Sequence, residues 1–171
     1  RLWQQFPEIL SQYQSKYSHL MIDEYQDTNA AQLQIMLLLA GKDGNIAVVG
    51  DDDQSIYKFR GANIRNILDF EKVYPDATVI KLEQNYRSTQ MILDAANAVI
   101  HNNLGRKDKA LWSDRKEGSK IHFRSFDNAY EEAESVVSDI SSACRNGNLE
   151  YRDFAVLYRT NAQARLLEER F

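Results

Sequence analysis

Apolar positions along this chain fall into short blocks of two periods, and the blocks alternate. "HLMI" (His19 to Ile22) and "NIAVVG" (Asn45 to Gly50) are near-continuous apolar runs that read as buried strands. Each is followed at once by acids, Asp23 and Glu24 after the first and Asp51 to Asp53 after the second. Between them "AAQLQIMLLLA" predicts a helix, with Thr28 or Asn29 as its cap and the Gly41 to Gly44 turn as its stop. "NIRNILDFEKVY" sets Ile64, Ile67 and Leu68 on one helical face before Pro75 ends it, and "TVIKL" (Thr78 to Leu82) predicts a third strand.

The second half repeats the theme. Ser88 is placed to cap the helix "TQMILDAANAVI", in which Ile92, Ala95, Ala96, Val99 and Ile100 keep helical spacing. "NNLGRKDKALWSDRKEGSK" (Asn102 to Lys120) is polar and basic and reads as a loop. "IHFRSF" alternates as a strand, "AYEEAESVVSDISSACR" is periodic as a helix, and "FAVLY" (Phe154 to Tyr158) predicts a strand leading into a last helix. Strands separated by helices predict an α/β fold with a parallel sheet. A domain boundary is expected near Leu82, dividing residues 1–81 from 82–171. The chain opens on an amphipathic pattern already under way, "RLWQQFPEILSQY", and stops inside a helical one, "NAQARLLEERF", so a longer parent is expected.

Composition narrows the function classes. With 43% apolar and 27% charged residues the 171-residue chain has the make-up of a globular protein. No apolar run reaches the roughly 20 residues that span a bilayer, and no signal peptide is legible, so no membrane partner and a cytoplasmic location are expected. One cysteine, Cys144, excludes an internal disulfide framework. His19, His101 and His122 lack metal-ligand spacing. The net charge of −4 means that any nucleic-acid contact must come from a local patch.

In parallel α/β sheets ligands sit outside the carboxyl ends of strands, where both sets of acids fall. One carboxylate there can hold Mg²⁺ while a neighbour takes a proton from an attacking water. Solvated turn or capping acids would give the same pattern. Gln54, just past the second acidic cluster, can donate or accept without changing charge, which suits a phosphate sensor. Arg87 in "EQNYRST" is either an arginine finger or one half of a surface ion pair. Tyr57, Lys58, Phe59 and Arg60 can stack on bases and touch phosphates. Alternatively, Tyr57 and Phe59 are core residues at strand alternation.

"DEYQDTN" (Asp23 to Asn29), "VVGDDDQSIYKFRGA" (Val48 to Ala62) and "LEQNYRST" (Leu82 to Thr89) resemble, in order and separation, motifs II, III and IV of the UvrD/PcrA/Rep-type superfamily 1 DNA helicases. "FAVLYRTNAQAR" (Phe154 to Arg165) resembles the segment that follows in their second motor domain. The resemblance implies a RecA-like P-loop NTPase fold, here as incomplete halves of two such domains, with ATP and Mg²⁺ as cofactors. It also implies single-stranded DNA and its junction with duplex as partners, with 3′ to 5′ travel.

By the same resemblance Asp23 corresponds to the Mg²⁺ carboxylate, Glu24 to the general base and Gln54 to the γ-phosphate contact. Tyr86 corresponds to the aromatic under adenine and Arg87 to the γ-phosphate arginine. Tyr57, Phe59 and Arg60, with Lys58 between them, fall where the family holds the DNA strand. Asp51 to Asp53 are then mainly the turn that delivers Gln54.

The chain departs from the family in two places. Phe59 stands where Trp is common, which keeps a stacking face and loses the indole N–H. No "GxxxxGK[ST]" occurs, since Gly41 and Lys42 are followed by Asp43 and no earlier Gly precedes them. The chain by itself is therefore expected to be inactive without the remaining helicase domains of its parent. The rival readings are a non-catalytic DNA-binding or interaction module with helicase-like surfaces, and a phospho-receiver-like signalling domain. The receiver would need a lone phosphoacceptor Asp after another strand, which "TVIKLEQNYRST" lacks.

Overall fold

The backbone pairing that organises the chain is a parallel ladder of two short strands, β1 (Leu20–Ile22) and β2 (Ile46–Val48), with Leu20 opposite Ile46 and Ile22 opposite Val48. The computed structural model describes residues 1–41, 44–147 and 149–171. They form two compact units, residues 1–120 and 121–171. The expected boundary near Leu82 falls inside the first of them.

In the first unit the amphipathic N-terminal stretch is two helices, α1 (Leu2–Gln5) and α2 (Pro7–Lys16). The break falls on Phe6, at φ −127° and ψ 79°, because the ring of Pro7 disfavours helical geometry in the residue before it. Helix α3 (Ala30–Ala40) makes the crossover that parallel strands require. Asn29 is its cap, closing a reciprocal box in which Asn29 Oδ1 accepts from the Gln32 N–H and Gln32 Oε1 accepts from the Asn29 N–H. Thr28 is not available for capping, since its hydroxyl is buried and donates to the Tyr25 carbonyl at 2.7 Å. Of the turn expected to stop α3, Gly41 has a left-handed φ of 64°, and Lys42 and Asp43 lie outside the described residues.

The helix expected over 63–74 is broken in two, α4 (Arg65–Leu68) and α5 (Phe70–Val73), where Asp69 sits at φ −98° and ψ 8°. Past the break Phe70 packs edge-on against Tyr25, ring centroids 5.6 Å apart, and Tyr25 is buried. Helix α6 (Gln90–Ile100) starts after Thr89 rather than Ser88. Its buried side centres on Leu93, whereas Ile92 and Val99 of the expected apolar face are exposed. Residues 102–120 form the expected loop, tied back by a parallel bridge between Gln84 and Trp112.

The second unit packs α7 (Ala129–Asn146), capped by Asn128, against α8 (Asn161–Arg170), with Ala133 and Ile140 buried. None of the described helices is long and apolar enough to cross a membrane.

Three expected strands do not form. "TVIKL", "IHFRSF" and "FAVLY" lack strand pairing among the described residues, and Ile80, Leu82, Phe123 and Leu157 are each at least 77% exposed. A strand is defined by a ladder partner, and without one an apolar run can neither satisfy its backbone nor cover its side chains.

Gly50, which follows β2, has no room for a side chain: an added Cβ would lie 2.6 Å from Gln26 Oε1 and 3.1 Å from the Tyr25 backbone nitrogen. Gly50→Ala is expected to destabilise the protein by about 1–3 kcal/mol, the range for overpacking. A denaturant midpoint unchanged by the substitution would contradict this geometry.

Candidate functional site

Two backbone hydrogen bonds to one residue set the first acids. The Val49 N–H donates to the Ile22 carbonyl at 2.8 Å, and the Tyr25 N–H donates to the Val49 carbonyl at 3.0 Å. Asp23 and Glu24 must turn the chain between those anchors. Glu24 consequently adopts a left-handed conformation, φ 49° and ψ 44°, the one non-glycine among the described residues to do so. For an L-residue this costs on the order of 1 kcal/mol. Asp23 Oδ1 accepts from the Glu24 N–H at 2.9 Å, and both acids are exposed.

Gln26, 1% exposed, joins these acids to the second loop. Its Nε2 donates to Glu24 Oε2 at 2.7 Å, and its Oε1 accepts from the Asp51 N–H at 3.0 Å. Asp51 then accepts from the Asp53 N–H at Oδ1 (3.0 Å) and from Gln54 Nε2 at Oδ2 (2.8 Å). Glu24 and Gln54 are thus the two ends of one hydrogen-bonded path.

Asp51, Asp52 and Asp53 can bring one oxygen each within 4.8 Å of the others, as a cation site would require. The chain's own cations occupy that position. Arg106 grips Asp53 with Nε and Nη2 at 2.8 and 2.7 Å, and Lys109 Nζ lies 2.5, 2.5 and 3.3 Å from Asp51, Asp52 and Asp53. The Lys107 N–H donates to Asp52 Oδ2, and its ammonium pairs with Glu71. The Arg106 hydrogen bonds, helped by Lys109, hold Asp53 below the ordinary carboxylate range against the opposing effect of burial. Burial works against the charge on Lys109, yet its bonds to Asp51 and Asp52 raise it above an ordinary lysine.

These three acids therefore do not fit a divalent ion. Asp23 does: it is an exposed hard-oxygen ligand at a strand end, with no ion pair among the described residues, as Mg²⁺ held by one or two carboxylates and water would use it.

Lys58–Arg60 form a single 3₁₀ turn ended by Gly61 at φ 87°. Phe59 is 73% exposed and Tyr57 37%, so the core reading of these aromatics fails. Their ring centroids are 5.9 Å apart, and the Arg60 guanidinium lies 5.0 Å from the Tyr57 centroid and 5.5 Å from that of Phe59. Two amides moor this loop to the first motif. The Asn63 N–H donates to the Thr28 carbonyl, and the buried Asn66 donates through Nδ2 to the Thr28 carbonyl and hydroxyl, all at 3.0 Å.

Tyr86 is 73% exposed, its hydroxyl donating to Gln84 Oε1 at 2.8 Å. Asn85 Oδ1 accepts from the backbone of Arg87 and Ser88. The Arg87 guanidinium is exposed and forms no ion pair among the described residues, so the surface ion pair is absent. No hydrogen bond among the described residues joins Tyr86 or Arg87 to Glu24 or Gln54. The structure thus gathers Glu24 and Gln54 on one path and Tyr57, Phe59 and Arg60 in one cluster, and leaves Tyr86 and Arg87 apart. Sequence reasoning missed Gln26, Arg106 and Lys109. The run "GRKDK" opposite "GDDDQ" was a legible signal of charge complementarity, whereas nothing local marks Gln26 as a buried amide.

Residues 1–75 match the family described as UvrD/REP helicase N-terminal domain, and residues 80–171 the UvrD-like helicase C-terminal domain. The chain is 55% identical over 170 residues to the ATP-dependent DNA helicase PcrA of Staphylococcus aureus (strain Mu50 / ATCC 700699), covering 99% of this chain and 23% of that protein. It is 52% identical over 169 residues to the ATP-dependent DNA helicase PcrA of Bacillus subtilis (strain 168), with the same coverage. A relative of the same name from Leuconostoc citreum is 52% identical over 168 residues, 98% of this chain and 22% of that protein. The chain therefore spans under a quarter of the length of these relatives.

Removing Arg106 would leave Asp53 short of a partner, so Arg106→Ala is expected to destabilise the protein at neutral pH. Asp53 titrates below 3.8 in the folded state, so its contribution is complete above that value and is lost as pH falls through the lowered one. Lys109 titrates above 10.5, so its contribution is complete below that value and is lost as pH rises through the raised one. The stability difference between parent and variant, followed by denaturant unfolding, should be flat between about pH 5 and 9 and shrink toward acid.

Proposed function

The chain belongs to the UvrD-like helicase family, and on that premise we propose that it is the central segment of an ATP-dependent 3′ to 5′ DNA helicase, coupling ATP hydrolysis to translocation on single-stranded DNA and duplex unwinding. Residues 1–81 would supply the later part of a first RecA-like domain and 82–171 the start of a second. The observation that carries the reading is the path Glu24–Gln26–Asp51–Gln54, which ties a strained acid at one strand end to a neutral amide at the next. The parent would act in the cytoplasm, on single-stranded DNA at its junction with duplex, together with its remaining domains. The 3′ to 5′ direction rests on family analogy.

Glu24 takes the proton of the water that attacks the γ-phosphate of ATP. The hydrogen bond from Gln26 engages its Oε2 and leaves Oε1 to receive that proton. Asp23 would hold Mg²⁺, whose charge would neutralise that of the phosphates. Gln54 contacts the γ-phosphate without adding charge, and Arg87 stabilises negative charge that develops during transfer. Tyr86 offers an exposed ring for the adenine base. Tyr57 and Phe59 stack on bases while Lys58 and Arg60 meet phosphates, each stacked base being worth about 1–3 kcal/mol. Gln54 ends the 3₁₀ turn that directly precedes this cluster, a short connection through which a change at the phosphate would reach the grip on DNA. The sequence of the segment carries no GxxxxGK[ST] loop, so on this reading it would hydrolyse no ATP by itself.

In the full-length helicase, Glu24→Gln should leave ATP binding intact and slow hydrolysis by roughly 10²-fold or more, as expected for a lost general base. Steady-state turnover equal to the parent would remove Glu24 from this role. Tyr57→Ala should spare DNA-free ATPase and reduce its stimulation by single-stranded DNA. Full stimulation in that variant would count against a role for Tyr57 in holding DNA.

A further inference from the structure

The catalytic reading leaves unused the most heavily charged cluster of the first unit, the three acids and their cations. Lys109 lies 2.5 Å from Asp51 Oδ1, and the other oxygen of that carboxylate accepts from Gln54 Nε2 at 2.8 Å. The Asp51 N–H holds Gln26, which holds Glu24. Asp51 is thus a node with four connections: to the lysine, to the glutamine, to the Asp53 N–H and, through Gln26, to Glu24. Arg106 fixes the neighbouring Asp53 at both oxygens. Side chains of the clamp are 5–25% exposed, so solvent screens these charges weakly.

Resting on the helicase reading above, we infer that Lys109 and Arg106 are positioning residues for Gln54, acting through Asp51 and Asp53. The clamp is contributed from two sides. Asp51 to Asp53 lie in the segment matching the N-terminal helicase domain, and Arg106 and Lys109 in the segment matching the C-terminal one. The orientation of the phosphate-sensing amide therefore depends on a loop that the C-terminal segment supplies. An anchored Asp51 carboxylate presents a fixed acceptor to Gln54. Released from Lys109, the same carboxylate keeps only the Asp53 N–H on that oxygen, and the amide loses the charged anchor that fixes its register.

The test is a double-substitution cycle in the full-length helicase, measuring DNA-stimulated kcat and the KM for ATP alongside thermal unfolding. Lys109→Met is expected to lower kcat about tenfold with KM for ATP changed less than threefold, and Lys109→Arg should restore most of it. In a Gln54→Ala background Lys109→Met should cause no further loss, because it acts through that side chain. A loss of equal size in both backgrounds, or parent-like kcat in Lys109→Met, overturns the inference. Should Lys109→Met not fold, Lys109→Gln, which keeps a hydrogen-bond donor without the charge, is held to the same two criteria. Glu24→Gln is run in parallel. If it loses turnover while the Lys109 variants do not, the clamp role fails and the helicase reading stands; if the full-length parent itself shows no DNA-stimulated turnover, the helicase reading falls.

Discussion

One buried carboxamide holds the site together. Gln26 donates to the Glu24 carboxylate and accepts from the Asp51 backbone, so the chain leaving β1 and the chain leaving β2 are fixed to each other after the strand ladder has ended. Both of its polar ends must be satisfied, since a buried amide without partners costs on the order of 1–3 kcal/mol. That requirement propagates outward. It demands a residue without a side chain at Gly50, and it helps to hold Glu24 in a left-handed turn that an L-residue otherwise avoids.

Around this centre the loops are held by hydrogen bonds more than by an apolar core. Thr28 and Asn66 bury their polar groups against each other and moor the aromatic loop. Arg106 and Lys109 meet the acids of the second loop. Directional bonds fix orientation as well as position, which is what the proposed proton acceptor and phosphate-sensing amide would need. The apolar surface does the opposite in places: Ile80, Leu82, Phe123 and Leu157 remain exposed on segments without ladder partners.

Strain and charge are concentrated at the same place. The left-handed Glu24 adjoins an exposed Asp23, while three further carboxylates nearby are matched by cations. Only the unmatched acids are free to meet a metal ion or a proton. The matched ones have a different use, holding a turn whose last residue is Gln54. An acidic run by itself does not distinguish these two uses.

Much of this was legible in the chain. Apolar runs followed by acids located β1, β2 and the candidate site, and the three long motifs located the family, because both are patterns of neighbours in sequence. The exposed Tyr57 and Phe59 required the structure, since alternation is the same for a core strand and for a stacking platform. So did the ion-pair partners of Asp51 to Asp53, because those cations lie more than fifty residues away. The failed strands have a related cause. "TVIKL", "IHFRSF" and "FAVLY" carry the right residues, but a strand exists only when another backbone lies beside it. Local sequence thus determined which residues could act and which elements could form. Tertiary structure decided their partners, because hydrogen bonds, ion pairs and ladders are made between segments that the sequence keeps far apart.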